Sequence, residues 1–224
     1  MKKSLFFSKR LSSVWLGHLV NFVVVVLSVV FAFWLNNRAI EKDLYQKKQN
    51  HLTLLKTSLE VDKASLKKMI ELNLEQINFL NSFKERLANQ QEIMPKECAQ
   101  LGNFWFFGVE KSAFEIIKGS DIVTTIENEN VLFSVSSVYY IYDEDIEVWQ
   151  EEYTKAFQRV IEPFLIEKIN SIENKIDLDL KERSELINRI YVLEDVLNAV
   201  ISGYEKGLEE LDIAIHEISK ELND

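Results

Sequence analysis

Glycine and proline are scarce in this sequence. The chain of 224 residues contains six glycines and two prolines, well below their average usage. Because these residues mark most turns, their scarcity excludes a fold of many short strands and predicts a few long helices. No stretch shows the alternating pattern of a β-strand. The sequence therefore predicts an all-α protein.

Side chains that support metal binding or nucleophilic catalysis are also scarce. The single cysteine, Cys98, excludes an internal disulfide, and the three histidines form no zinc-binding set with it. The glycines before Ser112 do not have the spacing of a phosphate-binding loop, and no Ser-His-acid signature is present. We expect no enzyme activity, no cofactor and no bound metal.

Positive charge is scarce beyond the N-terminal region. Residues 1–48 contain eight Lys or Arg and two acidic residues, whereas residues 49–224 contain 18 basic and 34 acidic residues, a net charge of −16. Nucleic-acid binding needs clustered basic side chains to neutralise phosphates, so it is excluded as an expectation. The basic N-terminal region suits anionic lipid headgroups instead.

One long apolar run, residues 14–35, dominates the N-terminal region and contains no fully charged side chain. At about 1.5 Å per residue it would cross a hydrocarbon core of about 30 Å. It is longer than a cleavable signal and ends in bulky residues, while Trp15 and Trp34 lie near its ends. We predict an uncleaved transmembrane helix after a basic tail, residues 1–13, with the lipid bilayer as a partner.

The orientation of this helix depends on its flanks. Four Lys or Arg precede the run, and four more lie between Arg38 and Lys48. Because the N-terminal tail is short and the first helix usually sets topology, we expect a cytoplasmic N-terminus. The bulk of the chain, residues 36–224, is then an extracytoplasmic domain.

Apolar residues recur at heptad spacing in that domain and predict three long helices. The predicted ranges are about 36–90, 121–170 and 180–222, with an irregular, aromatic-rich segment at 91–120. Leucines at heptad spacing mark the first helix, Pro95 ends it, and Asp179 with Glu182 has the spacing of a capping box before the third. We predict that the transmembrane helix continues into an elongated antiparallel three-helix bundle or coiled coil, in up-down-up order.

Two short blocks carry a resemblance to a known family. The first, similar to Ala-x-x-Ile-Asn-Asn, is matched by Ala32, Leu35, Asn36 and Asn37, with Arg38 in place of the usual Trp. The second is matched by Gly119, Ile126, Asn128, Leu132, Tyr139 and Tyr140. The chain resembles small, single-pass, membrane-anchored bacterial proteins of unknown function. The resemblance implies a helical body at the inner membrane of a Gram-negative bacterium, and no activity is attached to it.

Polar and small residues inside the apolar run suggest a helix-association face. His18, Asn21, Ser28 and Ala32 fall near one side of the helix. Such residues form contacts between membrane helices, although His18 is also close enough to the basic edge to reach the headgroups. No acidic residue accompanies them, so a proton relay is not expected.

Asn73 occupies a heptad position where the neighbouring heptads have leucine. A buried asparagine can fix the register of a coiled coil, which would make Asn73 a register residue in a homo-oligomer. The alternative is that the apolar stripe packs within one chain and leaves Asn73 at its margin.

Two further surface features each have two interpretations. The aromatic run Phe104, Trp105, Phe106 and Phe107 is either a partner-binding patch at the far end of the bundle, with Trp105 exposed, or a plug of that end. The acidic row Asp143, Glu147 and Glu151 is a divalent-cation site or, without a calcium loop, a solvated helix face.

These features lead to two hypotheses for function. The first is a membrane-anchored helical scaffold or interaction protein, which holds copies of itself or a membrane-protein partner. The alternative is an extracytoplasmic sensor or ligand-binding module that acts through a membrane partner.

Overall fold

The computed structural model describes residues 5–170 and 175–223, which are almost entirely helical. The α-helices are α1 Leu5–Ala88, α2 Pro95–Ala99, α3 Ser112–Lys118, α4 Glu129–Ile141, α5 Glu147–Ala156, α6 Glu162–Lys168 and α7 Leu180–Asn223. Turns of 3-10 helix lie at Gln100–Gly102 and Asp121–Thr125, and π-helical turns lie at Tyr142–Ile146 and Phe157–Ile161. Two-residue strands, β1 Ile169–Asn170 and β2 Lys175–Ile176, pair antiparallel with Ile169 opposite Ile176. The predicted all-α class is confirmed.

The chain divides into two compact units, Met1–Asn50 and His51–Asp224, and helix α1 supplies part of each. In the first unit, α1 has one stretch that is long and apolar enough to cross a membrane, and none of its most apolar 18 residues is buried. Near the end of this stretch Phe31 stacks on Trp34, with ring centroids 5.7 Å apart. The guanidinium of Arg38 lies 4.5 Å from the Trp34 ring centroid.

In the second unit, α1 packs against α7, and the two helices run antiparallel. Lys63 pairs with Asp212 and, further along α1, Lys84 pairs with Glu194. Along this contact the heptad leucines of α1 form the seam of the core. Leu52, Leu59, Leu66, Leu80 and Leu87 are all buried, as their spacing predicts.

The helical stretch from α4 to α6 also runs antiparallel to α7. Asn128, which precedes α4, donates to Glu217 (2.9 Å), and Arg189 donates to the carbonyl of Val160 near the other end of the stretch. Helix α1 and the α4–α6 stretch therefore run in the same direction. The three long helical stretches are present as predicted, but residues 89–128 must return along the bundle, so that the simple up-down-up order is replaced by a path with this extra return.

The boundaries of the second long stretch differ from the prediction. It begins at Glu129, because residues 121–125 form a 3-10 turn and Asn128 caps α4 by accepting the N–H of Asn130 (3.0 Å). Two π-helical turns then interrupt it, and the second precedes Pro163, which has no N–H to continue an α-helical ladder. Pro163 therefore lies where the regular α-helical ladder is interrupted.

Helix α7 begins with the predicted capping box. The N–H of Glu182 donates to Asp179 (2.8 Å), and Glu182 accepts the N–H of Asp179 (2.9 Å). Farther along, Gly207 allows close packing, since a Cβ there would lie 3.1 Å from both Leu66 and Ile146. The centre of the second unit is thus packed from α1, the first π-helical turn and α7.

Candidate functional site

Five polar side chains reach into the core from three helices, and all of them contact the backbone of residues 100–107. We call this group the polar clamp: Asn73 and Gln76 from α1, Gln150 and Tyr153 from α5, and Tyr204 from α7. All five residues are buried. Buried polar groups need hydrogen-bond partners, and here the partners are backbone N–H and C=O groups of the returning segment.

Asn73 pairs with both backbone groups of Trp105. Its Nδ2 donates to the Trp105 carbonyl (3.0 Å), and its Oδ1 accepts the Trp105 N–H (3.2 Å). The same Nδ2 donates to the carbonyl of Met69 one turn earlier in α1 (2.9 Å). Asn73 is fully buried, so it does not lie at a margin of the stripe. The register hypothesis is corrected as well, because this amide is used within the chain.

Gln150 pairs with Phe107 in the same way. Its Oε1 accepts the Phe107 N–H (2.7 Å), and its Nε2 donates to the Phe107 carbonyl (3.2 Å). The hydroxyl of Tyr204 lies between the two amide pairs, 3.1 Å from the Trp105 carbonyl and 2.9 Å from Oε1 of Gln150. Its single proton can serve one of these acceptors at a time. Residues 105 and 107 are therefore held much as a neighbouring strand would hold them.

The start of the segment is held by the other two members of the clamp. Gln76 donates to the carbonyl of Gln100 (2.9 Å), and Tyr153 lies 3.2 Å from the carbonyl of Asn103. Burial raises the pKa of Tyr153, so this hydroxyl stays a proton donor. Each member of the clamp bonds to the backbone of the segment, so these hydrogen bonds do not depend on the side chains of the segment.

The aromatic run lies beside Asn73, well before the end of α1 at Ala88, and not at the end of the bundle as predicted. Phe107 is buried against Tyr142, with ring centroids 5.4 Å apart, and Phe104 packs on Tyr153 at 4.6 Å. Trp105 is half-buried. Phe106 is 56% exposed, so Phe106 and not Trp105 is the ring that a partner can reach. The run is therefore part core and part surface.

A second polar feature, which we call the Asp62 cluster, contains Asp62, Tyr139 and Tyr142. All three residues are buried, and Oδ2 of Asp62 and both hydroxyls have no hydrogen-bond partner among the described residues. The Tyr139 and Tyr142 rings meet edge to face, 5.7 Å apart. Burial raises the pKa of Asp62 to about 6, and the nearby carboxylate of Glu110 adds to this shift. Burial and the Asp62 charge raise the pKa of both tyrosines.

The remaining predicted site residues lie on exposed surface. His18, Asn21, Ser28 and Ala32 are exposed on α1, where Ser28 donates to the carbonyl of Val24 (2.8 Å). The association face stays a prediction. In the described ranges no group of three His, Cys, Asp or Glu side chains could hold a metal ion.

Two of the three carboxylates in the acidic row form ion pairs with lysines. Asp143 pairs with Lys111, and Glu151 pairs with Lys155 (3.1 Å). Glu147, between them, has no ion-pair partner in the part of the chain that the structure describes, and its side chain is exposed. The row therefore has one carboxylate whose charge is not balanced locally.

Gln150 is the clamp residue that heptad reasoning missed. Periodicity places Trp149 on the buried stripe, but Trp149 is exposed and Gln150 is buried. Gln150 is buried because the backbone N–H and C=O of Phe107 need an acceptor and a donor, and the side-chain amide of Gln150 provides both. The signal for the α1 members of the clamp was present in the sequence, since Asn73 and Gln76 both interrupt apolar heptad positions.

Comparison with known proteins gives no match: no protein family, no curated protein and no solved structure is similar to this chain.

Replacing Asn73 with leucine tests the polar clamp. Asn73→Leu restores the heptad but leaves the N–H of Trp105 without a partner and its carbonyl with the Tyr204 hydroxyl alone, so we expect the free energy of unfolding to fall by about 1–3 kcal/mol. The exposed Asn81→Leu on the same helix is the matched control and should change it by less than about 0.5 kcal/mol. Urea denaturation of the full chain in detergent, followed by circular dichroism, measures both. Equal midpoints for the two variants would contradict the clamp.

Neutralising Asp62 tests the buried carboxylate. Because its folded-state pKa of about 6 exceeds its ordinary value of 3.8, the folded protein holds the proton more tightly. Its contribution to stability therefore decreases as the pH rises from about 4 to about 6, and stays at the lower value above. Asp62→Asn should raise the free energy of unfolding at pH 7.5 by about 1–3 kcal/mol and remove this slope.

The matched control is Glu75→Gln, which neutralises an exposed carboxylate on the same helix. It should leave the slope between pH 4 and 6 unchanged. Denaturant midpoints for wild type and both variants across this range provide the measurement. A wild-type slope that survives in Asp62→Asn would show that another group titrates.

Proposed function

We propose that this protein is a membrane-anchored helical interaction protein, or scaffold, that holds a partner outside the cytoplasm. The observation that carries the proposal is the apolar stretch of α1, which is long enough to cross a membrane and has none of its most apolar 18 residues buried. Exposed apolar surface of this length is costly in water, and a bilayer removes the cost. The N-terminal basic tail lies on the cytoplasmic side, at the inner membrane of a bacterium.

The chemistry of the second unit supports interaction and not catalysis. The polar side chains of its core bind its own backbone, so the clamp has the role of positioning residues 100–107. The positioned segment presents Phe106 at the surface beside an acidic row. An exposed aromatic ring on a rigid support is a common anchor for a protein partner.

The Asp62 cluster favours a second candidate function, an extracytoplasmic sensor that acts through a membrane partner. A buried carboxylate that titrates near pH 6, beside two hydroxyls without partners, would respond to protons or to a small hydrogen-bonding ligand. If the sensor candidate is correct, Asp62→Asn should alter partner capture between pH 5 and 7.5. A scaffold should capture its partner equally across that range.

Thiol labelling tests the anchor and its orientation. Cys98 is fully buried and burial raises its pKa to about 11, so a Cys98→Ala background avoids its slow reaction. In that background we expect Ser136→Cys, at an exposed position of α4, to react with an impermeant maleimide in intact spheroplasts. Ser8→Cys, in the basic tail, should react only after lysis. The reverse pattern would contradict the orientation, and recovery of the chain in the soluble fraction would contradict the anchor.

Crosslinking in the native membrane tests the interaction. A photoreactive amino acid at Phe106 should give a reproducible adduct with one protein, identified by mass spectrometry, because this ring is exposed on the clamped segment. The same probe at Asn81, an exposed position on α1, is the control and should not give that adduct. Monomer alone at both positions would contradict the scaffold.

A further inference from the structure

The polar clamp uses the backbone groups of alternate residues in the aromatic run. Trp105 and Phe107 have both their N–H and C=O groups paired. In an extended chain, successive residues direct these groups to opposite sides. The residues next in turn, Phe106 and Gly108, therefore belong to a second edge of the same segment.

This second edge is open. Within the described residues, the backbone N–H and C=O groups of Phe106 and Gly108 have no hydrogen-bond partner. Both residues are exposed, and a Cβ added at Gly108 would meet nothing within 4 Å. Since the clamp pairs with both groups of Trp105 and of Phe107, as a strand would, the unpaired groups between and beyond them are a template for another strand.

Two hollows lie along this edge and meet at α5. One, of about 310 Å³, is lined by Gly108, Asp143 and Glu147 among others. The other, of about 370 Å³, is lined by Phe106, Glu147 and Glu151 among others. Glu147 and Gln150 line both, so the two hollows form one groove beside the segment.

The groove is lined by three carboxylates, Asp143, Glu147 and Glu151, and by two lysines, so it has one carboxylate in excess. Asp143 and Glu151 already pair with lysines of the chain, whereas Glu147, where the hollows meet, has no cation partner among the described residues. A lysine or arginine of a partner would balance it, and the acidic second unit would attract a basic partner at long range. Since Phe106 is exposed at the same place, an apolar side chain of the partner would find contact there.

The spacing of the carboxylates matches an extended peptide. Glu147 and Glu151 are four residues apart on one helix, a rise of about 6 Å. In an extended strand, side chains on one face repeat every two residues, about 6.6 Å. Basic residues at alternate positions of a strand would therefore face successive carboxylates of α5, with apolar residues between them.

We propose that residues 106–109 and the groove at Glu147 form a docking edge for an extended, basic segment of a partner protein, which adds to the open backbone as a strand. The docking edge rests on the proposed interaction function and specifies what kind of partner segment would bind. Backbone hydrogen bonds would align that segment, and its alternating basic and apolar residues would provide selectivity. One edge of the segment then pairs with the polar clamp, and the other edge pairs with the partner.

A pair of fluorescent peptides tests the docking edge on the full chain in detergent micelles. The probes are acetyl-KVKVKVK-amide and acetyl-EVEVEVE-amide, which share apolar content and differ in charge. Fluorescence anisotropy should show the basic peptide binding at least ten-fold more tightly than the acidic one. Equal affinities, or no binding of the basic peptide, would overturn the proposal.

Matched variants separate specific pairing from general attraction to an acidic protein. Glu147→Gln should weaken the basic peptide at least ten-fold, while Glu144→Gln, an exposed acid outside the groove, should change its affinity less than two-fold. Gly108→Pro removes one backbone donor and should also weaken it at least ten-fold, whereas Gly108→Ala keeps the donor and should bind at least ten-fold more tightly than Gly108→Pro. Equal affinity for Gly108→Pro and Gly108→Ala would overturn the strand pairing.

A ligand-side variant keeps the test valid if Gly108→Pro fails to fold. The basic peptide with N-methyl groups at alternate residues cannot donate from one edge, and its affinity for the wild-type chain should drop at least ten-fold. Unchanged affinity would overturn the proposal. A dimer of this chain that forms through Phe106 and is not displaced by the basic peptide would likewise overturn it.

The native-membrane adduct at Phe106 distinguishes the two proposals. An adduct that persists unchanged in Gly108→Pro and Glu147→Gln leaves the interaction function standing and removes the docking edge. If the basic peptide binds but the wild-type membrane gives no adduct at Phe106, the docking edge is supported and the scaffold proposal is contradicted.

Discussion

The second unit depends on one constraint: a non-helical backbone that enters a helical core must have its N–H and C=O groups paired there. Water and neighbouring strands normally meet this need, but the aromatic run lies among helices. Asn73 and Gln150 meet it with side-chain amides, each of which presents one donor and one acceptor to one residue. The return of residues 89–128 along the bundle, the burial of Phe107 and the shared direction of α1 and the α4–α6 stretch all follow from that arrangement.

A side-chain amide is well suited to pairing with a buried backbone, and the contrast with the carboxylate of Asp62 shows why. A neutral amide matches a peptide group atom for atom, so both partners are satisfied and no charge is buried. A carboxylate only accepts hydrogen bonds, and among the described residues Asp62 has no donor at Oδ2, while the charge that shifts its pKa is the like charge of Glu110. Burial therefore shifts its proton equilibrium instead of pairing it. Two kinds of buried polarity thus lie in one core: the polar clamp, whose members are paired, and the Asp62 cluster, in which burial raises the pKa of Asp62 to about 6 and raises those of both tyrosines above their ordinary value.

The structural features that depend on local sequence rules could be predicted from the sequence. Scarce glycine and proline predicted the long helices, the heptad leucines predicted the seam of α1, and Asp179 with Glu182 predicted the start of α7. The features that depend on a distant partner could not be predicted in this way. Periodicity ranks Trp149 above Gln150 for burial, because polarity alone carries no information about the backbone of Phe107. For the same reason, the polar interruptions of the α1 heptads were visible, but their common partner, a segment about thirty residues onward, was not.

The hydrogen bonds made in the core determine which backbone groups of the aromatic run are left at the surface. The polar clamp takes up the backbone groups of Trp105 and Phe107, while the neighbouring groups of Phe106 and Gly108 have no hydrogen-bond partner within the ranges that the structure describes. A binding edge that is already ordered loses little conformational entropy when it pairs, which favours association without a rearrangement. The acidic row beside it adds charge at a spacing close to that of a strand. The same clamp that stabilises the interior therefore determines where, and in which orientation, an extended partner can be held.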